Sequence, residues 1–143
     1  MFERFVPRAR RAVALAGESA RAWGHDHIGT AHLLAAVLRD EDSIAAETLA
    51  ALGVASDDVR DRVDSALGRG QRTRRGYIPF TPNMKAVLEN CVAQANRRDH
   101  YHVDIEHLLL ALIEIEGTAG HLLLELGLQP ERLRQLLSQR WAT

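Results

Sequence analysis

The chain can be laid over itself. An offset of 75 residues puts Phe5 on Phe80, Pro7 on Pro82 and Ala20 on Ala95 without a gap, and it sets His25, His27 and His32 on His100, His102 and His107. Leu33, Leu34 and Ala36 fall on Leu108, Leu109 and Ala111, and Arg10 meets Lys85. After one deletion near residue 117 the register becomes 74, and Leu49, Leu52 and Gly53 meet Leu123, Leu126 and Gly127. Two copies of about 65 to 70 residues are a duplication, since stacked arrays need three or more short units. A duplicated chain is expected to fold into two similar halves related by a pseudo-twofold axis.

Each copy reads as four helices. Phe5, Ala9, Ala12, Val13, Ala16, Ala20 and Trp23 follow steps of three and four, the pattern of one buried helical stripe. Pro7 falls in the first turn, where a missing N–H costs nothing. Thr30 is the expected N-cap of a second helix carrying Leu33, Leu34, Val37 and Leu38. Ser43 caps a short third helix that Gly53 ends, and Ser56 followed by two aspartates opens a fourth. The second copy repeats the plan from Thr81–Pro82, from Asp104, from Thr118 and from Pro130. No segment alternates as a strand does. The reading is an all-α fold: one domain, residues 1–143, with repeat one at 1–67, a linker at 68–79 and repeat two at 80–143. The linker "GRGQRTRRGYIP" holds three glycines and four arginines and shows no core pattern.

Charge and cysteine content narrow the function classes. The net charge of −1 gives no general attraction to polyanions, and the single cysteine, Cys91, forms no internal disulfide. No apolar run approaches the ~20 residues of a membrane span, and the N-terminus lacks a signal core, so a cytoplasmic monomer is expected. Arg8, Arg10 and Arg11, then Arg69, Arg72, Arg74 and Arg75, raise nucleic-acid binding. They come with no recognition-helix motif and no stacking aromatics, so they read as solvated surface.

The histidine triplets in "HDHIGTAH" and "HYHVDIEH" raise metal binding or catalysis. Their spacing matches no usual zinc pattern, no cysteine assists, and no serine or cysteine nucleophile occurs in both copies. A structural role at the turn joining the first two helices accounts for their double occurrence. A metal-dependent enzyme built on them is the rival reading; no metal and no cofactor is the expectation.

The phrases "MFERF", "RARR", "HIGTAHLL", "GYIPFTP" and "IEHLLLALIE" resemble the N-terminal domain of ClpC-type AAA+ protein unfoldases along essentially the whole chain. The resemblance implies two four-helix repeats and a non-catalytic module that recruits substrates and adaptors. No G-x-x-x-x-G-K-[ST] loop is present, so no ATP site is expected, and a free-standing relative without AAA+ modules is the expectation.

The resemblance also implies two binding surfaces. One takes adaptors and cyclic-peptide antibiotics along the first helices of the repeats. Its aromatic anchors fall on Phe2 and Phe80 and its flanks on Arg10, Val13, Lys85, Leu88 and Glu89. The other reads phosphorylated arginine through the glutamate of a "GTEH" motif. Here the second copy keeps that acid as Glu106, while the first has Ala31 and the second also replaces Gly-Thr with Asp104 and Ile105. The expected partners are peptides, cyclic-peptide antibiotics, Clp adaptors or substrates and a ClpC-type unfoldase. A decoy that sequesters antibiotics or adaptors is the sharper expectation, and a phosphoarginine receptor excised from a full-length unfoldase the alternative.

Overall fold

A computed structural model describes residues 2–40, 42–70 and 76–142. Eight α-helices follow in order: α1 (Pro7–Ala22), α2 (Thr30–Val37), α3 (Ile44–Ala51), α4 (Ser56–Leu67), α5 (Pro82–Arg97), α6 (Ile105–Glu114), α7 (Thr118–Glu125) and α8 (Pro130–Ala142). The described residues contain no strand, only two isolated parallel bridges, Phe5 with Val103 and Ile28 with Phe80. Adding 75 to the first member of each contact yields the other contact, so the two bridges are one interaction made twice.

These bridges lock the halves together. The leading segment of each repeat pairs with the helix-to-helix corner of the other. Val6 N–H donates to Val103 O at 3.0 Å and Val103 N–H to Arg4 O at 2.8 Å; Thr81 N–H donates to Ile28 O at 3.0 Å and Ile28 N–H to Pro79 O at 2.8 Å. Neither repeat completes its corner alone. Ile78 is buried as well, so the end of the stretch read as linker contributes to the core.

The core runs through α2 and α6. Leu33 and Leu34 of the first, and Leu108, Leu109, Leu110 and Leu112 of the second, are almost wholly buried. A helix that is apolar nearly all round belongs at the centre, and α1, α3, α4, α5, α7 and α8 contribute one stripe each. Pro7 and Pro82 occupy first turns, and the Thr81 hydroxyl caps Met84 N–H at 3.0 Å. Gly53 and Gly127 follow α3 and α7 with φ of +84° and +94°, the left-handed region that disfavours a Cβ.

One cap differs from expectation. The cap of α2 is Gly29, with Thr30 inside the first turn. The Thr30 hydroxyl instead accepts the N–H of Ala119 at 3.2 Å, tying the start of α2 to the start of α7 in the other repeat.

Candidate functional site

The histidines form two hydrogen-bonded pairs, one at each corner. The N–H of Gly29 donates to His32 Nδ1 at 2.9 Å, and His32 Nε2 lies 2.8 Å from His25 Nδ1. An N–H can only donate, so His32 carries its proton on Nε2 and passes it toward His25. His25 is thereby protonated on Nε2 and donates to the carbonyl of Gly68 at 2.7 Å. The second copy repeats the chain: Asp104 N–H to His107 Nδ1 at 2.9 Å, then His107 Nε2–H to His100 Nδ1 at 2.9 Å. Burial first, and the neighbouring imidazole second, push His32 and His107 down to about 4.

At the first corner all four ring nitrogens of the pair are committed, leaving no lone pair for a cation. The third histidine turns away: His27 is exposed and meets Asp26 at 2.8 Å. Among the described residues no group of three or more His, Cys, Asp or Glu converges on a common point. At each corner the histidine at the third helical position reaches back to the cap N–H, which is one half of a capping box.

The second corner carries charge that the first lacks. Arg8 donates twice to Asp104, at 2.7 and 2.5 Å. Burial alone would raise the pKa of Asp104, but the bonds from Arg8 and from Ile105 N–H hold it below its ordinary value. Glu106, 8% exposed, lies near enough to Arg8 to favour its charged form, and its Oε1 has no hydrogen-bond partner. The matching positions in the first corner are Asn83, Gly29 and Ala31. The sites of the duplication have therefore diverged electrostatically.

The residues of the expected adaptor surface are spread over several environments. Phe2 and Phe80 are half-buried, and Arg10, Lys85 and Glu89 are exposed. Val13, 8% exposed, and Leu88, 1% exposed, belong to the core, so a ligand reaches Leu88 only through the residues around it. Phe2 packs edge-on against Phe5, centroids 5.0 Å apart. No ring contact joins Phe2 to Phe80.

A hollow of about 690 Å³ lies elsewhere, against Arg8, Arg11, Leu15, Ala36, Asp40 and Ile105. Sequence reading passed over this face. A signal was present in the register of the repeats, where Ser19 faces Gln94 and Arg39 faces Glu114. Of the arginines read as solvated surface, Arg8 is bonded to Asp104 and Arg69 lies over the Trp23 ring at 4.7 Å. Arg72, Arg74 and Arg75 lie outside the described residues. Among the described residues no single helix is long and apolar enough to cross a membrane.

The geometry defines a class: a duplicated helical domain whose halves exchange their leading segments and whose paired histidines bond back to the helix caps. Residues 4–140 match the family model of the Clp repeat (R) N-terminal domain, and the chain belongs to that family. It is 41% identical over 140 residues to the negative regulator of genetic competence ClpC/MecB of Bacillus subtilis, covering 97% of this chain but 17% of that protein. It resembles the N-terminal domain of the caseinolytic protease associated chaperone ClpD from Arabidopsis thaliana, with a TM-score of 0.76, 26% identity and coverage of 100% and 97% of the two chains. It shares its fold with a ClpV N-domain in complex with VipB peptide, at a TM-score of 0.75, 17% identity and coverage of 92% and 83%.

Proposed function

We propose that this domain is a non-catalytic recruiting module that holds peptide segments of adaptors or substrates of a Clp unfoldase. The surface is the seam between α1 and α5, with Phe2 and Phe80 as anchors, Val13 and Leu88 beneath them, and Arg10, Lys85 and Glu89 at the rim. The observation that carries this reading is the state of Phe80. Its repeat-equivalent, Phe5, is 2% exposed under the edge of Phe2, whereas Phe80 is only partly buried. Tyr77, the equivalent of Phe2, is 87% exposed and leaves that ring uncovered. A rigid aromatic beside a cation and an anion is the usual composition of a binding hot spot. That a ClpV N-domain takes a VipB peptide makes peptide the first ligand class to try.

The finer reading is sequestration of cyclic-peptide antibiotics or Clp adaptors. Calorimetric titration with a cyclic-peptide antibiotic and with an adaptor tests it. Phe80→Ala should weaken binding by about tenfold or more, equivalent to covering the rest of one ring; because the ring also packs against the core, affinity is measured well below the variant's own melting temperature. Unaltered affinity in both Phe2→Ala and Phe80→Ala removes the seam from consideration.

A second reading, recognition of phosphorylated arginine, rests on the buried, unpartnered Oε1 of Glu106. Free phosphoarginine should then bind once per domain, and Glu106→Gln should abolish it. The first corner, with Ala31, offers no carboxylate at the matching place.

A further inference from the structure

The duplication supplies its own control for the flank of α1 that faces α2. In the second repeat the matching space between α5 and α6 is closed by polar side chains. Gln94, 3% exposed, donates to Asn90 Oδ1 at 3.1 Å and to Glu114 Oε2. Arg98 donates to Gln94 Oε1 at 2.9 Å, and Arg97 lies 3.6 Å from Glu114. Every member of this network is replaced in the first repeat. Asn90 becomes Leu15, Gln94 becomes Ser19, Arg97 becomes Ala22, Arg98 becomes Trp23, and the acid Glu114 becomes Arg39. The substitutions shorten the side chain, make it apolar or reverse its charge, so this network is not repeated there. What remains is the hollow of about 690 Å³, joined to a second of about 340 Å³ through the shared Leu15, Ala36 and Arg39.

We propose that this open groove is a second docking surface, and that its occupant is an amphipathic helix of another protein. Three features select that occupant. The groove runs from Arg8 to Trp23, about 22 Å at the helical rise, which matches about 15 residues of helix. Its floor is apolar, with Ala12, Leu15, Ala36 and Ile44 along it, and suits side chains spaced i, i+3, i+4, i+7. Its banks carry opposite charges that do not meet: Arg11 stands on α1, and Asp40 and Asp42 stand on the connection after α2, with no ion pair joining them. Among the described residues Arg39 likewise forms no ion pair, and Glu18 and Arg60 line the far section. Unpaired charges on both rims of an apolar floor fit a helix with an apolar stripe, acids on one flank and bases on the other.

This face is separate from the seam. On α1, Arg8, Leu15, Ser19 and Ala22 project to one side of the buried stripe Ala9–Ala16–Ala20, and Arg10 and Val13 lie toward the other. The groove can therefore stand or fall independently of Phe80.

The test transplants three of the five closing positions of the second repeat into the first: Leu15→Asn, Ser19→Gln and Arg39→Glu together, which the second repeat holds beside Arg97 and Arg98. The probe is a fluorescein-labelled synthetic helix of about 15 residues with leucines on one stripe, glutamates on one flank and lysines on the other. Fluorescence anisotropy should show saturable binding to the unaltered domain, weakened by about tenfold or more in the triple variant and unchanged in Phe80→Ala. Hydrogen exchange should show protection of residues 8–23 and 35–39 and not of residues 83–98. The proposal is overturned if the probe does not bind, if the triple variant binds it equally, or if Phe80→Ala and not the triple variant removes it. It is overturned too if sedimentation shows a dimer that the triple variant dissolves, since the groove is then filled by a second copy of the chain.

Discussion

Acid should unfold this domain through its two buried histidine pairs, in a window that its carboxylates do not explain. The hydrogen-bond chain from Gly29 N–H through His32 to His25 and Gly68 has a place for each proton it holds and none for another. A proton added to either ring turns a bond into two N–H groups facing each other. The same holds between Asp104, His107 and His100. The folded value of about 4 for His32 and for His107 lies below the ordinary 6.5, so the fold favours the neutral ring. Its contribution is complete above pH 6.5, falls as pH drops through that value, and is gone near pH 4. Each tenfold change is worth about 1.4 kcal/mol, which gives ~3 kcal/mol per ring. Water at the rim of each corner screens part of that, leaving ~2 kcal/mol apiece. Two corners therefore remove ~4 kcal/mol between pH 7 and 4.5, a large share of the 5–15 kcal/mol that holds a domain together. Asp104, with its pKa held low, keeps its contribution until pH falls below 3.8, outside the window.

Urea titration followed by circular dichroism measures this directly. With a slope near 2 kcal/mol per molar, the midpoint should fall by about 1–2 M from pH 7 to pH 4.5. The comparison protein is His32→Gln with His107→Gln. Glutamine at the third helical position can accept the same bond from the cap N–H but does not titrate. This variant loses the bond to each partner histidine, about 1 kcal/mol per corner at every pH, and should lose most of the midpoint's pH dependence. Surface carboxylates are common to both proteins and cancel in the difference. A variant whose midpoint falls with acid as steeply as the parent's would refute the reasoning.

Two further expectations concern single contacts. A double-mutant cycle on Arg8→Ala and Asp104→Ala should return a coupling of about 1 kcal/mol, because the pair is bidentate but Arg8 is largely solvated; it should shrink in high salt, and an additive cycle at low salt would show that the pair ties nothing together. Burial pushes the Cys91 thiol up to about 12, against smaller opposing backbone hydrogen bonds, and its Sγ donates to Leu88 O at 3.0 Å. A disulfide reagent at pH 8 should therefore label Cys91 only as fast as the domain opens, so that rapid labelling of the native protein would contradict its place in the core.

What could be read in advance follows from how locally each feature is encoded. The helices were legible because the stripe of α1, the prolines at 7 and 82 and the glycines at 53 and 127 act within a few residues of themselves, and the two halves because their residues repeat in register. The role of the histidines was legible only as a type, because His25 meets His32 across a turn whose geometry depends on Pro79 and Phe80 of the other repeat. Thr30 was misread as a cap for the same reason: its hydroxyl is claimed by Ala119, far away in sequence. The groove was the least legible, since no residue in it forms a motif. It exists because five positions that close a network around Gln94 in one copy are occupied in the other by residues that cannot. A duplicated domain relieves each copy of the need to satisfy every contact. The copy that keeps the network keeps the packing, and the copy that loses it gains an open face without losing the fold. For that reason differences between aligned halves are the place to look for binding surfaces in such a chain, and identities the place to look for caps and core.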